Sequence, residues 1–288
     1  MIYFVEDENG NYVTEERFSE KIYNHNRIIL RTFLQMKNLE GLSVNTIKMY
    51  DLYITLLSTE IGKRYEDLSV KDLRDWMISY QNNHSVKNET MDSMRRVFSS
   101  FYNFMEDEEY VLRSPMKKIY KIKSEKIIKS PFTEDEIALI QDNCKTIRDI
   151  ALIDFLYITG VRVSELCALN INDINFDKQE AVVFGKGAKE RVIYFDSRTK
   201  IHLQSYLKSR TDNNNSLFVC NKEPYDRLSK NGVEYIVKEI GDRAGVEKCH
   251  PHRFRRTLAT RMIDRGVPIE QVQQILGHTK IETTLIYA

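Results

Sequence analysis

Long apolar runs are missing from this sequence of 288 residues. None approaches the ~20 residues that a membrane-spanning helix needs, so we expect no contact with a membrane. The N-terminus, MIYFVEDENG, is acidic and lacks the basic start and the apolar stretch of a secretion signal. Together these two absences predict a protein that works in the cytoplasm.

Cysteine is scarce as well. Its four positions, 144, 167, 220 and 249, lie far apart and show none of the paired spacings of zinc sites or disulfide frameworks. Cys249 and His250 could in principle bind zinc, but neither a cysteine pair nor a glutamate at metalloprotease spacing accompanies them. We therefore expect reduced thiols in a hydrophobic core, no metal site and no other cofactor.

A net charge of either sign is nearly absent, since 43 basic residues stand against 42 acidic ones. Phosphate binding usually favours a basic chain, so the net charge of +1 argues weakly against a nucleic-acid partner. The charges are distributed unevenly. Residues 1–20 hold six acids and one base, whereas residues 111–130 hold seven bases and one acid. The balanced total therefore leaves a nucleic-acid partner open.

Apolar residues recur at helical spacing along residues 16–112, which predicts a helical domain built from four amphipathic helices. Ser43 is a candidate N-cap of the second helix, and Ser69 with Asp72 forms a capping-box pattern before the third. The fourth helix carries an apolar stripe made of Met91, Met94, Phe98, Phe101 and Met105. Such stripes are more typical of a core than of a cofactor site. Residues 1–15 form a short N-terminal extension.

A basic interdomain linker is predicted at residues 113–132, RSPMKKIYKIKSEKIIKSPF. Pro115 and Pro131 interrupt regular structure near its two ends. Lysines on an extended segment can neutralise phosphates without reading a base sequence. The candidate phosphate contacts of this segment are Lys117, Lys118, Lys121 and Lys123.

The remaining residues, 133–288, mix both element types. AVVF at 181–184 and RVIYF at 191–195 are predicted as two strands joined by the turn GKGAKE. Helices are predicted from Thr133, from Ile147 to a stop at Gly160, near 198–209 and 229–244, and after Pro251 and Pro268. The predicted fold class is mainly α with a small β-sheet.

Polar residues in this half form motifs that are ordinary when each is taken alone. TGVRVSEL places Arg162 between two helices, three residues before Glu165, a spacing that allows an ion pair. An arginine in such a turn is usually a surface charge. GKGAKER holds Lys186 in a glycine-rich turn, but the turn lacks the spacing and the Ser or Thr of a nucleotide-binding P-loop.

Two further motifs follow. HPHRFRRT places His252 and Arg255 on one flank at a helix N-terminus, where positive charge and backbone N–H groups favour an anion. GHTKIETTLIYA ends the sequence with His278 and Tyr287, nine residues apart. A tyrosine so near the end of a sequence ordinarily frays into solvent.

In their order and spacing, the four motifs resemble those of the tyrosine recombinases, the family of Xer recombinases, phage integrases and Cre. The resemblance covers the sequence beyond about residue 15. It implies a SAM-like four-helix core DNA-binding domain at residues 16–112. It also implies a catalytic domain of the DNA breaking-rejoining type at residues 133–288.

The resemblance implies a role for each residue of the motifs. Arg162 and Arg255 would clamp the scissile phosphate, and His278 would donate a hydrogen bond to one of its oxygens. Glu165 would support the arginine cluster. Arg256 departs from the motif of many relatives and adds a positive charge, which makes it a further candidate for contact with DNA.

The bond-breaking step is implied in the same way. Tyr287 would attack phosphorus and leave a 3′-phosphotyrosine bond and a free 5′ hydroxyl. Lys186 would be the general acid for the departing 5′ oxygen, and His252 would assist proton transfer or orient the phosphate. Tyrosine has a reference pKa of about 10, so it needs a nearby base or cation to become a nucleophile.

The implied function is site-specific recombination of DNA through a Holliday junction, without metal or ATP. The partner would be double-stranded DNA with paired inverted half-sites. Four protomers would assemble on two duplexes at the nucleoid, and the protein would be a monomer without DNA. Integration or excision, inversion and dimer resolution all fit the motifs.

Two alternatives stay open. A DNA-binding accessory protein would keep the fold without the chemistry, although the complete set of motif residues argues against it. A type IB topoisomerase-like enzyme would use the same phosphotyrosine chemistry and relax DNA that lacks any recombination site. The sequence stops one residue beyond Tyr287, and we expect the segment that carries this tyrosine to be mobile or displaced when no DNA is bound.

Overall fold

The computed structural model describes residues 3–6, 12–15, 20–124, 130–185, 190–278 and 280–287, with side chains from residue 20 onward. The chain divides into two compact units, residues 1–127 and residues 128–288. The division falls within the segment 113–132 that the sequence predicts as a linker. Over the ranges just given, no helix is long and apolar enough to cross a membrane.

Among its described residues, the first unit has four α-helices and one antiparallel hairpin. The helices are α1 (Glu20–Leu39), α2 (Val44–Ile61), α3 (Val70–His84) and α4 (Asn88–Asp107). The prediction of four helices is confirmed. The hairpin strands, β1 (Tyr3–Glu6) and β2 (Tyr12–Glu15), lie in the N-terminal extension, where the sequence pattern predicts no element.

Local capping sets the start of two of these helices. The side chain of Ser43 accepts a hydrogen bond from the Thr46 N–H at 3.3 Å at the start of α2. Ser69 and Asp72 form the predicted reciprocal capping box at the start of α3. The Met and Phe stripe predicted for α4 is buried at all five positions, so this face supplies much of the core of the unit.

The predicted linker begins as part of the first unit. Residues Pro115–Lys118 form a short 3₁₀ helix, and Met116 is buried in the core. Further along, Arg74 Nη2 donates to the Lys118 carbonyl at 2.7 Å and Asn88 Nδ2 donates to the Lys123 carbonyl at 2.8 Å. Residues 113–124 are therefore held along α3 and α4 rather than surrounded by solvent.

The second unit has seven helices among its described residues, together with a three-stranded antiparallel sheet. The helices are α5 (Glu134–Asp142), α6 (Ile147–Thr159), α7 (Val163–Ala168), α8 (Ser197–Ser209), α9 (Lys230–Ala244), α10 (Pro251–Asp264) and α11 (Ile269–Leu276). The strands are β3 (Ile174–Asn175), β4 (Glu180–Phe184) and β5 (Glu190–Tyr194), in that order, with Val182 opposite Val192. The mainly α fold class with a small sheet is confirmed, and β3 is too short for its sequence pattern to predict.

Helix α6 lies at the centre of this unit. It packs against α8 and α10, and most of its residues are buried, including the charged Arg148, Asp149 and Asp154. Gly160 ends it in the left-handed conformation, with φ 57°. A Cβ at this position would lie 2.7 Å from a methyl group of Leu258 on α10. The tight contact fixes the turn that presents Arg162 beside α10.

Candidate active site

Arg162 and Glu165 form the predicted ion pair. Arg162 Nη1 donates to Glu165 Oε1 at 2.7 Å, and the backbone N–H of Arg162 donates to Oε2 at 2.9 Å. The pair caps the first turn of α7, which explains why this helix begins immediately after Arg162. Glu165 is 4% exposed, whereas the side chain of Arg162 is 29% exposed and so remains accessible to a ligand.

Arg191 is a member of the cluster to which the sequence analysis assigns no role, although it is the last residue of GKGAKER. Its Nη1 and Nη2 donate to the two oxygens of Glu165 at 2.7 and 2.8 Å, in a bidentate contact. It lies on β5 and shares the inward face of that strand with the buried Ile193. Because Val192 and Tyr194 on the opposite face are apolar too, the strand sequence does not mark Arg191 as facing inward, and its position in GKGAKER is the available signal.

Arg255 lies in the first turns of α10 and is 3% exposed. Its Nη1 donates to the Gly160 carbonyl at 2.7 Å. Burial, reinforced by the charges of Arg162 and Arg191, lowers the pKa of Arg255 to about 9. The guanidinium is therefore still charged at neutral pH, and it carries its charge in a poorly solvated place where electrostatic contacts are strong.

The C-terminal end of α11 brings these arginines together. Three successive backbone carbonyls, at residues 275–277, each accept a hydrogen bond from a different arginine. The pairs are Arg191 Nε with Ile275 at 3.2 Å, Arg255 Nη2 with Leu276 at 2.5 Å, and Arg162 Nη2 with Gly277 at 2.9 Å. Because a helix leaves its last carbonyls unpaired at the negative end of its dipole, this end offsets the mutual repulsion of the three guanidinium groups. We call it the carbonyl end of α11.

Glu165 is the buried acid of the cluster. Burial alone would raise the pKa of Glu165, but the hydrogen bonds from Arg191 and Arg162 outweigh this effect and hold the pKa below its usual value. One ionised carboxylate thus faces several guanidinium groups, and the cluster keeps a positive charge. Such a cluster is suited to an anion with several oxygens, such as a phosphodiester.

His252 lies at the start of α10 and is exposed to solvent. Desolvation by the surrounding chain, together with the charges of Arg255 and Arg162, lowers its pKa. The side chain therefore lies within electrostatic range of the arginine cluster and is neutral at physiological pH. A neutral imidazole can accept a proton on one nitrogen, as a general base must.

His278 follows directly on the carbonyl end of α11. Burial and the charges of three neighbouring arginines lower its pKa to about 4, so the ring is uncharged at neutral pH. Its Nδ1 lies 2.9 Å from the hydroxyl of Thr284, which is 0% exposed. When that hydroxyl donates, the proton of the neutral ring resides on Nε2. In that tautomer Nε2 is a hydrogen-bond donor.

Tyr287 packs against the rest of the second unit, contrary to the expectation that its segment is displaced. Its ring stacks on His278, with centroids 6.0 Å apart and an interplanar angle of 26°. Its N–H donates to the Thr284 carbonyl at 3.0 Å, and the side chain packs against a small apolar cluster that includes Ala259 and Val272. Two short 3₁₀ turns, Ile281–Thr283 and Leu285–Tyr287, carry it there.

The arginines of HPHRFRRT have three different environments. Arg253 is buried and structural, since its Nη2 donates to both oxygens of Glu136 at 2.9 Å and thereby ties α10 to α5. Arg255 belongs to the cluster. Arg256 is half-buried, burial lowers its pKa, and it interacts electrostatically with Tyr287.

Lys186 and the linker lysines are the remaining predicted site residues. Lys186 falls outside the described residues. The linker lysines belong to the first unit, where Lys117 pairs with Glu106 at 2.5 Å and the others, Lys118, Lys121 and Lys123, are exposed. They are accessible to a polyanion.

Groups of His, Cys, Asp and Glu able to hold a metal ion are absent from the described part of the chain. All four cysteines are free thiols. Burial raises the pKa of Cys144 and of Cys249 to about 12, which keeps both protonated and unreactive.

We expect Gly277→Ala to destabilise the second unit more than Gly266→Ala does. Both glycines have positive φ, 64° and 78°, so both substitutions carry a backbone cost of about 1–2 kcal/mol. A Cβ at position 277 would lie 2.8 Å from Arg191 Cδ, whereas position 266 has nothing within 4 Å. Crowding should add about 1–3 kcal/mol at position 277 alone. The unfolding temperatures of the two variants are measured against wild type. Equal losses of stability would contradict the close contact between position 277 and Arg191.

Comparison with known proteins identifies relatives of both units. The model of the phage integrase family matches residues 130–288. The chain is 34% identical to tyrosine recombinase XerA of Pyrococcus horikoshii over 93% of its length and 90% of that protein. It is 32% identical to tyrosine recombinase XerC of Staphylococcus epidermidis over 89% of its length and 90% of that protein.

Solved structures agree with these matches. The crystal structure of XerA recombinase aligns with a TM-score of 0.52 at 27% identity, over 91% of this chain and 93% of that one. A lambda integrase dimer bound to a COC′ core site aligns with a TM-score of 0.75 at 17% identity, over 91% of this chain and 94% of that one. At 17% identity, the likeness to lambda integrase is one of fold.

Proposed function

Because this chain belongs to the phage integrase family of tyrosine recombinases, we infer that it is a site-specific recombinase that breaks and rejoins DNA through a tyrosine. The observation that supports the chemistry best is the carbonyl end of α11. Arg162 and Arg255 meet there, and it leads directly into His278 and the tyrosine stacked on it. The proposed phosphate site and the proposed nucleophile thus lie next to one another.

We assign the nucleophile to Tyr287. Its hydroxyl oxygen would attack the scissile phosphorus, the bond from phosphorus to the 5′ oxygen would break, and a 3′-phosphotyrosine bond would form. One phosphodiester bond is exchanged for another, so rejoining by the 5′ hydroxyl needs no ATP. His252, uncharged at neutral pH, would accept the phenolic proton or orient the phosphate, and Lys186 would protonate the departing 5′ oxygen.

The arginines would stabilise the charge that develops on the phosphate. Arg162 has an accessible side chain, and Arg255 carries its charge in a poorly solvated site, where a fixed donor is worth more than in water. Each arginine has five N–H donors, so each can hold a carbonyl of α11 and a phosphate oxygen together. The carbonyl contacts would therefore orient the two guanidinium groups before DNA binds.

His278 would contribute a neutral hydrogen bond rather than a charge. Its pKa of about 4 keeps it uncharged at neutral pH, and Nε2 would be the donor when the Thr284 hydroxyl donates to Nδ1. A neutral donor adds to the phosphate contacts without adding to the repulsion among the arginines. Glu165 would act through Arg162 rather than on the phosphate.

DNA is the partner that this function requires. We propose that residues 16–112 form the core DNA-binding domain, that residues 113–132 join it to the catalytic domain at 133–288, and that the exposed lysines at 118, 121 and 123 contact phosphates with Arg256. Lys117 is already paired with Glu106 and would have to exchange that partner. Four protomers would assemble on two duplexes with paired inverted half-sites, at the nucleoid in the cytoplasm.

Covalent trapping tests the function and identifies the site together. Fragments of the source genome that carry nicks are incubated with the protein. When the protein cleaves near a nick, the short released strand diffuses away and the covalent complex cannot rejoin. The DNA in complexes that survive denaturation is then sequenced. We expect one sequence with two inverted half-sites to dominate. Trapped DNA without a common sequence would favour a topoisomerase-like activity, and the absence of any trapped DNA would contradict the proposal.

A further inference from the structure

The guanidinium of Arg191 faces the protein rather than a ligand. Two of its nitrogens are taken by Glu165 and the third, Nε, donates to the Ile275 carbonyl. The side chain is 10% exposed, compared with 29% for Arg162. All three nitrogens thus have protein partners, and Arg191 is poorly placed to bind the phosphate itself.

Arg191 and Arg162 share one carboxylate. Glu165 Oε1 accepts from Arg162 Nη1 and from Arg191 Nη1, each at 2.7 Å. Since Arg191 holds both carboxylate oxygens, Arg162 is left with a single side-chain contact to Glu165 and a second to the Gly277 carbonyl. The remaining donors of Arg162 stay available.

Without Arg191, the buried charge of Glu165 would be balanced mainly by Arg162. A carboxylate and a guanidinium favour a two-point contact, so Glu165 would draw Arg162 toward itself and occupy more of its donors. The positive charge of the cluster would also fall by one. Both changes weaken the contact that a phosphate makes in the transition state.

We propose that Arg191 is a positioning residue for DNA cleavage: it neutralises Glu165 so that Arg162 remains free for the scissile phosphate, and it ties β5 to the last turn of α11 before His278. This inference rests on the proposed function, because it assumes that Arg162 binds the phosphate. Arg191 acts through its neighbours and contacts no reacting atom.

The test compares Arg191→Met with the double variant Glu165→Gln/Arg191→Met. The trapped DNA site is used, and the rate of covalent adduct formation is measured in a single turnover and corrected for the folded fraction. We expect Arg191→Met to slow adduct formation by about 10²-fold while DNA affinity changes by only a few-fold. The double variant has no unbalanced carboxylate, and the amide oxygen that it places at position 165 can still accept from Arg162. It should recover at least about tenfold of the rate.

Two further variants separate this role from general stability. Arg210 makes a matched contact elsewhere in the second unit, with both oxygens of Asp212 and the Ser216 carbonyl. Arg210→Met should lower the unfolding temperature without slowing adduct formation by the folded protein. Arg191→Lys keeps the charge but not the bidentate contact, so its rate should lie between those of wild type and Arg191→Met.

The outcomes distinguish the inference from the function on which it rests. A double variant no faster than Arg191→Met, or an Arg191→Met variant as fast as wild type, would overturn the role of Arg191 alone. If Arg191→Met does not fold, Arg191→Lys is the deciding variant. Cleavage by Arg191→Lys at the wild-type rate would then overturn the proposal. A wild-type protein that forms no adduct contradicts both the proposed function and this inference.

Discussion

Tyr287→Phe should form no covalent adduct with DNA, a loss of at least about 10⁴-fold in rate, because a phenyl ring has no oxygen to attack phosphorus. The substitution removes one hydroxyl and keeps the ring. The stacking on His278 and the contact with the apolar cluster around Val272 should therefore persist. Binding to the recombination site should change by less than about tenfold, since the arginine cluster is unaltered.

The matched control is Tyr235→Phe, an exposed tyrosine on α9 in the same unit. It should form adducts as wild type does and bind DNA equally well. Adduct formation by Tyr287→Phe within about tenfold of the wild-type rate would mean that another residue is the nucleophile. Loss of both adduct and binding would instead assign Tyr287 to binding or folding.

Arg255→Lys should slow cleavage by about 10²–10³-fold although the charge is kept. Arg255 holds the Gly160 carbonyl with one nitrogen and the Leu276 carbonyl with another. A lysine has a single ammonium group, which cannot keep both carbonyls and a phosphate oxygen in the same geometry. The buried position also disfavours the charged lysine, whose pKa falls readily on desolvation. Single-turnover adduct formation at saturating DNA isolates the chemical step.

Arg256→Lys is the control for this prediction. Arg256 is the next residue on α10, but it is not among the three arginines that hold residues 275–277. A lysine keeps the charge on which the proposed phosphate contact of Arg256 depends, so at saturating DNA the substitution should leave the rate within a few-fold of wild type. Equal losses at positions 255 and 256 would indicate that α10 simply tolerates no lysine here, and a fully active Arg255→Lys would contradict its role at the phosphate.

Helix boundaries were predictable because their causes are local. The capping boxes at Ser69 and Thr133, and the left-handed glycine that ends α6, involve residues only a few positions apart. The hairpin β1–β2 and the packing of residues 113–124 were not predictable in this way. The latter depends on contacts such as that of Arg74 with the Lys118 carbonyl, which lie 44 residues apart.

The candidate site shows the same division. The ion pair between Arg162 and Glu165 follows from a spacing of three residues. The carbonyl end of α11 does not, because it joins Arg162 to Gly277 across 115 positions and Arg191 to Ile275 across 84. Motifs select residues by type and order, whereas a helix terminus that accepts hydrogen bonds through its backbone leaves no side-chain signature. The stacking of Tyr287 on His278 was not predictable either, because a separation of nine residues does not determine whether two side chains meet.

The identity of the residue joined to DNA tests the central claim most directly. After covalent trapping, trypsin cleaves behind Lys280, and the peptide that begins at Ile281 contains Tyr287 as its tyrosine within residues 281–287. Mass spectrometry should find this peptide linked through Tyr287 to the 3′-phosphate of a nucleotide, while the complementary product carries a free 5′ hydroxyl. A link at any other residue, or through a 5′-phosphate, would contradict the account.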